Sequence, residues 1–471
     1  MAARTFAIRT FGCQMNAHDS GKVANLLLHA GYEATGEDAN ADLLVINTCS
    51  IREKAEHRLY SDLGRLREWK ALRPGRLLGV GGCVAQQEGD ALLARFAQVD
   101  FVFGTHNLRL VPALVHAAEM GQRPIDVSTS PSLDRFDLPE RHPAFVEPSP
   151  GRAYLTVMEG CDMFCSFCIV PTTRGREVSR PADAIVREAA LLAGRGVIEI
   201  VLLGQTVNAY GRHDLRRGLT DQAGTTSFAA LIRRLAAIPG LRRIRYTSPH
   251  PIFFDEDLVR AHGEVEALCP HVHMPVQSGA DAVLERMRRR YTGDDVRLLA
   301  ARLRAARPDL VLTTDLIVGF PGESDADFEA TLALVRDVGY ADGFSFKFSP
   351  RPGTAGAELA GRVPEDVAQG RLEAVQDLLR RQTLIYHRSR VGTRTEVLVA
   401  GRSRQERQLA GRDPWHRVVN LDAAAFPDAV PGRLVRVQIA EATPHSLLGE
   451  PATSMPVAQA GIPSGAVAIR R

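Results

Sequence analysis

Short apolar runs alternate with longer segments of helical period through the first 120 residues. Runs at Thr5 to Phe11, Asp42 to Asn47, Arg76 to Val80 and Val99 to Phe103 have the length of strands. Segments at Ser20 to Ala30, Ile51 to Trp69, Gln86 to Phe96 and Leu108 to Met120 have the spacing of helices. This rhythm predicts a parallel sheet with covering helices, an N-terminal α/β domain over 1–120. Between 121 and 150 the chain turns polar and proline-rich without a sustained period, as a linker does. A second strand–helix series follows over 151–382. Its strands fall at Ala153 to Met158, Glu199 to Leu203, Arg243 to Ser248, His271 to Val276, Leu312 to Val318 and Gly343 to Phe348. Helices at Arg180 to Ala193, Phe228 to Ala237, Ala280 to Arg288, Gly293 to Ala306 and Ser324 to Val338 fill the gaps. Six such units predict a partial (β/α)6 barrel. From 383 to 447, strict alternation such as Thr395 to Val399 and Leu434 to Ile439, broken by Gly and Pro, predicts a small β-barrel. The segment 448–471, rich in Ala, Pro, Gly and Ser, has the composition of a disordered tail.

A chain of 471 residues exceeds one hydrophobic core, in keeping with several domains. Its apolar and charged fractions, 45% and 24%, are those of an ordinary globular protein, and no apolar run approaches a membrane span. The start, MAARTFAIRT, lacks the apolar core of a signal peptide, so the expected location is the cytoplasm. There, seven cysteines point to metal or redox chemistry rather than disulfides. The net charge of +3 decides nothing about partners until it is located. Residues 383–447 hold ten Arg, no Lys and only six acids, so the positive charge is concentrated in the last domain. With Trp415, His416 and Arg417 that domain offers basic charge beside an aromatic ring. Two readings of it stand: an RNA-binding surface, or a β-domain with a solvated arginine face.

Six of the cysteines stand on strand-end loops. Cys161, Cys165 and Cys168 follow the first strand of the second series, in the spacing CxxxCxxC with Phe167 before the last. Thiolates this close can wrap one metal centre. Three, where a closed electron-carrying cluster takes four, leave an iron open to a further ligand. A zinc knuckle or inert buried thiols are the plainer alternatives. Cys13, Cys49 and Cys83 each lie at the end of a strand of the first domain, along one sheet edge where ligands bind. They are either ligands of a second cluster or three separately buried thiols, and their shared loop position favours the cluster. Gly12, Gly81 and Gly82 would let backbone approach a bulky ligand there. At the barrel rim, Gly204, Gln205, His250, Gln277, Ser278 and the run Gly319 to Glu323 could form a pocket. Each could equally be a turn or a helix cap. Cys269 belongs to neither trio and suits a packing role.

The strings TFGCQMN, VINTCSIREKAE, GGCVAQ, EGCDMFCSFCIVPTTRGREVSRP, LLGQTVNAYG, TSPHP, HVHMPVQSG, MRRRYT and DLIVGFPGE run from the first strand to the barrel's last units. Together they resemble the radical S-adenosylmethionine (SAM) methylthiotransferase family over nearly the full length, most closely its members that modify N6-isopentenyladenosine in tRNA. The resemblance implies a C-terminal domain of the TRAM type that grips tRNA. It also implies two 4Fe-4S clusters and SAM as cofactors. Cys161, Cys165 and Cys168 match the SAM-cluster ligands, and Cys13, Cys49 and Cys83 the auxiliary-cluster ligands. Gly204, Gln205, Gln277 and Ser278 become candidates for the SAM pocket. The activity implied is methylthiolation of C2 of isopentenyladenosine at position 37, in the tRNA anticodon stem-loop, with an outside electron donor and sulfur source. The alternatives within the family are threonylcarbamoyl-adenosine in tRNA and an aspartate of a ribosomal protein. One departure stands out: Thr206 occupies a position where the subgroup usually has Asn. It bears on the substrate and is expected to leave the cluster chemistry untouched.

Overall fold

The computed structural model describes residues 3–50, 53–130, 132–213, 226–403, 405 and 407–452, without the side chains of 53–55. The last nineteen residues of the expected tail lie outside the described residues. The first domain is a six-stranded parallel sheet in the order β2-β1-β3-β4-β5-β6. Its strands are β1 (Thr5–Phe11), β2 (Glu33–Ala34), β3 (Leu43–Thr48), β4 (Leu77–Gly82), β5 (Phe101–Phe103) and β6 (Ile125–Asp126). Every residue of β3 and β4 is buried, which explains their unbroken apolar runs: helices cover both faces of the sheet. Two short edge strands went unread. The outermost, β6, comes from the segment expected to be linker. Much of that segment is tied down: the Asn25 side chain donates to the carbonyls of Pro139 and Glu140 and accepts from the His142 amide.

The second domain strings six parallel strands around an open barrel: β7 (Arg152–Thr156), β10 (Glu199–Leu203), β11 (Arg243–Tyr246), β12 (His271–His273), β13 (Val311–Val318) and β14 (Asp342–Lys347). A two-stranded ribbon, β8 (Met158–Glu159) with β9 (Val178–Ser179), brackets the cysteine loop. Ladders join β7, β10 and β11 on one side and β12, β13 and β14 on the other. A parallel bridge between Ile244 and Leu268 links the two halves. No ladder joins β14 to β7, so the barrel is open on that side among the described residues. Helix Gly293–Ala306 follows the expected bounds and starts with a capping box, Thr292 with Asp295. Helix Glu365–Ser389 was not expected, and it carries the chain straight through the boundary drawn at 382/383. The third domain is a closed barrel of β15 (Arg394–Arg402), β16 (Gln408–Arg412), β17 (Val418–Asp422), β18 (Leu434–Ala442) and β19 (Leu447–Pro451). Its core is Val397, Val399, Val419, Leu421, Val437, Ile439 and Leu447.

Candidate active site

Strands β1, β3 and β4 end in register: Phe11 pairs with Thr48, and Thr48 with Gly82. The next residues along each chain bring Cys13, Cys49 and Cys83 to one sheet edge. The Cys49 thiol is hydrogen-bonded to both of the others. Gly12 makes this possible. It has φ +130°, and a Cβ on it would lie 2.2 Å from the Cβ of Cys49. The side-chain amide oxygen of Asn16 takes a hydrogen bond from the Cys13 thiol at 3.1 Å. Sharing hydrogen bonds with Cys49 pulls Cys13 down to about 6 and Cys83 to about 7, against the opposing effect of burial. The Arg174 guanidinium acts in the same direction, while Cys49 is pushed up. Low thiol pKa favours the thiolate, which is the metal-binding form.

The second trio occupies the loop between β8 and β9. The Cys161 amide donates to the Gly175 carbonyl at 3.1 Å, closing the loop, and Phe164 at its tip has φ +50°. The Thr206 hydroxyl lies 2.9 Å from the Cys161 sulfur. Thr206 therefore bears on this cysteine directly, which corrects the expectation that it leaves the cluster side untouched. Arg289 donates to the Cys165 sulfur at 3.5 Å and to the Tyr291 hydroxyl at 2.8 Å. Its neighbours Arg288 and Arg290 have φ +57° and +58°, unfavourable for residues with a side chain, and together they turn the buried Arg289 inward. Burial raises the Cys161 thiol and pushes Cys168 up to about 12, helped by the charge of Cys165.

One short helix, Val170–Arg174, connects the trios. It begins two residues after Cys168 and rises roughly 7 Å over its length at 1.5 Å per residue. Thr105 of the first domain donates to the carbonyl of Thr173 at 2.6 Å. Arg174 at its end is buried and donates to Asp19 at 2.6 Å, with Cys13, Cys83 and Glu159 as further anionic neighbours. The other guanidinium nitrogen, Nη1, has no partner among the described residues. The residue borders a chamber of about 700 Å³ that all three domains line. Gly12, Cys13, Gln14, Met15 and Cys83 come from the first domain, and Gly204, Gln205, His271, His273 and Asp315 from the barrel. Arg412, His416 and Arg417 come from the third. Cys161, Cys165 and Cys168 are not on the lining. The chamber reaches their loop through Val170 and through Gln205, whose side-chain oxygen accepts from the Gly160 amide. The buried Nε2 of Gln205 is left without a partner among the described residues.

The remaining candidates separate by geometry. Gly204 and Gln205 reach the chamber. Ser278 instead faces Thr331 at 3.2 Å and caps the amide of Ala280, and Gln277, at φ +75°, bridges to β13. Neither lines the chamber. Gly81 makes room for the ring of Phe103 rather than for a ligand. Cys269 is buried, with Arg245 and Arg243 nearby. Trp415, His416 and Arg417 do not form a free RNA-binding surface. Trp415 donates to the Asp309 carbonyl at 2.7 Å with Arg390 over its ring, His416 packs on His271, and Arg417 pairs with Asp342 at 3.0 Å. They fasten the third domain to the barrel. The contacts of Arg174, Thr206 and Arg289 with the cysteines were not legible in the sequence because they join distant segments.

Among the described residues, no group of His, Cys, Asp and Glu is arranged to hold a single metal ion. A cubane cluster makes a different demand, since each cysteine binds a different iron. Two separate sets of three thiols, both on strand-end loops, match that donor chemistry. An open six-stranded barrel with CxxxCxxC on its first rim loop defines the radical SAM class. The Radical SAM superfamily model matches residues 155–335. The first domain matches "Uncharacterized protein family UPF0004" over 5–104, and the last matches the TRAM domain over 388–452. The structure of the radical SAM methyltransferase TsrM from Kitasatospora setae, with cobalamin and a 4Fe-4S cluster bound, superimposes with TM-score 0.53. It covers 76% of this chain and 74% of its own, at 15% identity, so the likeness is one of fold.

Closer relatives narrow the class. The tRNA-2-methylthio-N6-dimethylallyladenosine synthase of Geobacter metallireducens is 48% identical over 443 residues, 94% of this chain and 97% of its own. That of Geotalea uraniireducens is 46% identical over 443 residues, 94% and 98%. The chain belongs to the tRNA-2-methylthio-N6-dimethylallyladenosine synthase family.

Proposed function

We propose that this protein methylthiolates C2 of N6-dimethylallyladenosine at position 37 of tRNA. The observation that carries the reading is the chamber, where Cys13 and Cys83 face the barrel rim that carries the second trio's loop. The adenine C2–H bond is strong and not acidic, so no positioned side-chain base removes its proton usefully. The cofactors, once bound, supply the hydrogen-abstracting radical and the sulfur and methyl that replace hydrogen. Cys161, Cys165 and Cys168 hold the cluster that binds SAM, and Cys13, Cys49 and Cys83 hold the auxiliary one. Arg174 counters the negative charge of the first trio, while Thr206 and Arg289 orient Cys161 and Cys165 through hydrogen bonds. Arg402, Arg407, Arg433 and Arg436 are exposed on the third domain and suit phosphate contacts that weaken as salt rises. An electron donor and a sulfur source come from outside the chain. With no helix among the described residues long and apolar enough to cross a membrane, nothing ties this work to one.

The test is nucleoside analysis of dimethylallylated tRNA after incubation with the reconstituted protein, SAM and a chemical reductant. The methylthio nucleoside should appear. Replacing Cys161, Cys165 and Cys168 by Ala should abolish formation of 5′-deoxyadenosine. Replacing Cys13, Cys49 and Cys83 should leave that cleavage and lose the thiolated product. Full product formation by the second variant would refute the division of labour.

A further inference from the structure

Strand β14 alternates its side chains between two environments. A Cβ on Gly343 would meet Leu379 of helix Glu365–Ser389 at 3.0 Å, so this parity faces the helix. Asp342, Phe344 and Phe346, of the opposite parity, line the chamber. Phe344 is 58% and Phe346 41% exposed, although both stand on a strand whose other face is packed. Large apolar side chains left in water inside a cavity mark a place for an apolar ligand group. Ile317, the ladder partner of Phe346, is part-buried and extends the apolar character toward the rim. Toward the floor the lining turns polar, with Asp315 beside Phe344, His273 3.3 Å from Asp315, and Thr313. The apolar wall therefore lies between the rim, where the thiols are, and the floor made by the third domain.

We propose that Phe344 and Phe346 form the seat for the dimethylallyl group of the substrate adenosine, and so select tRNA that already carries it. The inference rests on the function proposed above. In adenine, C2 and C6 flank N1, and their outward bonds diverge. When C2 is turned toward Cys13 and Cys83 at the rim, the substituent on N6 is directed away from the thiols, along the wall. That substituent is a branched hydrocarbon, the one wholly apolar appendage of the nucleotide, and it has no use for the polar floor.

The test compares the affinity of the full-length reconstituted protein for two tRNAs, with and without the dimethylallyl group. The unsubstituted protein should prefer the modified tRNA by roughly tenfold or more, the worth of a few buried carbons. Replacing both Phe344 and Phe346 by Ala should bring the two affinities together while leaving that for unmodified tRNA unchanged. Replacing both by Leu should restore most of the preference. Equal weakening toward both tRNAs would mean that the rings stack on bases, and would overturn the inference. So would a preference that survives both alanines, while thiolation of modified tRNA by the unsubstituted protein would keep the proposed function standing. Failure of that protein to distinguish the two tRNAs would overturn the inference alone, and failure to thiolate either would overturn both.

Discussion

Replacing Gly12 by Ala tests how the first trio is built. The added Cβ would lie 2.2 Å from the Cβ of Cys49 and 3.4 Å from its Cα, at the end of a fully buried strand. The obstruction is a strand-end Cβ rather than a flexible tip, so relief requires moving Cys49 itself. Overpacking of this kind costs about 1–3 kcal/mol. Holding an L-residue at a φ that side chains rarely adopt adds ~1–3 kcal/mol. The total of roughly 2–6 kcal/mol is a large share of a domain's stability of about 5–15 kcal/mol. The escape route, displacing Cys49, breaks its hydrogen bonds to Cys13 and Cys83. Gly31 is the matched control: it has φ +87° and open space around its Cβ position, so Ala there costs only backbone strain of about 1–2 kcal/mol. Urea unfolding of the first domain and iron content after anaerobic reconstitution read both effects. Gly12→Ala should lose about half the iron, one cubane of two, and Gly31→Ala none. If the two variants match in stability and iron, the close approach at Gly12 has no bearing on the trio, and the reasoning fails.

Arg174→Met should cost about 3–5 kcal/mol in chemical unfolding, because Asp19 and Glu159 are buried and lose a cationic partner. A cost below ~1 kcal/mol would mean that Lys22 and Arg135 compensate them. His262 is buried against the Tyr246 hydroxyl at 2.7 Å, and burial pushes it down to about 3 from 6.5. The unfolded chain takes up this proton first, so stability is present above pH 6.5 and is lost as pH falls toward 3. The slope approaches about 1.4 kcal/mol per pH unit for one group. Stability measured against pH should show that slope flattened by a comparable amount in His262→Gln. Trp415→Ala removes the bond to Asp309 and the stack under Arg390 at 3.7 Å. It should expose the junction near Pro414 to limited proteolysis, with a loss of about 1–3 kcal/mol; an unchanged cleavage pattern would show that the junction is held elsewhere.

The sequence was most legible where one physical signal dominates. Thr5–Phe11, Glu199–Leu203 and Gly293–Ala306 were read to the residue because strand alternation, a buried apolar run and a capping box each mark their bounds. Helix Glu365–Ser389 was missed because only Ala368, Arg371, Val375, Leu379, Thr383 and His387 are buried along it, a narrow and partly polar stripe. The six cysteines could be grouped from strand ends alone, since adjacent parallel strands deliver their loops to one edge. Their partners could not. Thr206 reaches Cys161 from the next barrel loop, and Arg289 reaches Cys165 from a turn held by two left-handed residues. Trp415 misled for the opposite reason: a basic string with an aromatic ring suits RNA, and equally suits docking onto a carbonyl and a carboxylate of a neighbouring domain. Composition does not distinguish the two.

The central claim is that two metal clusters, held by separate cysteine trios, lie close enough to exchange material by way of one chamber. Electron spin relaxation of the reduced, reconstituted protein measures this directly, because neighbouring paramagnets speed each other's relaxation. The signal of each cluster should relax faster in the intact protein than in the variant whose other trio is replaced by alanine. Identical relaxation in all three proteins, with iron confirming that both clusters are present, would place the centres too far apart to exchange material and would contradict the account.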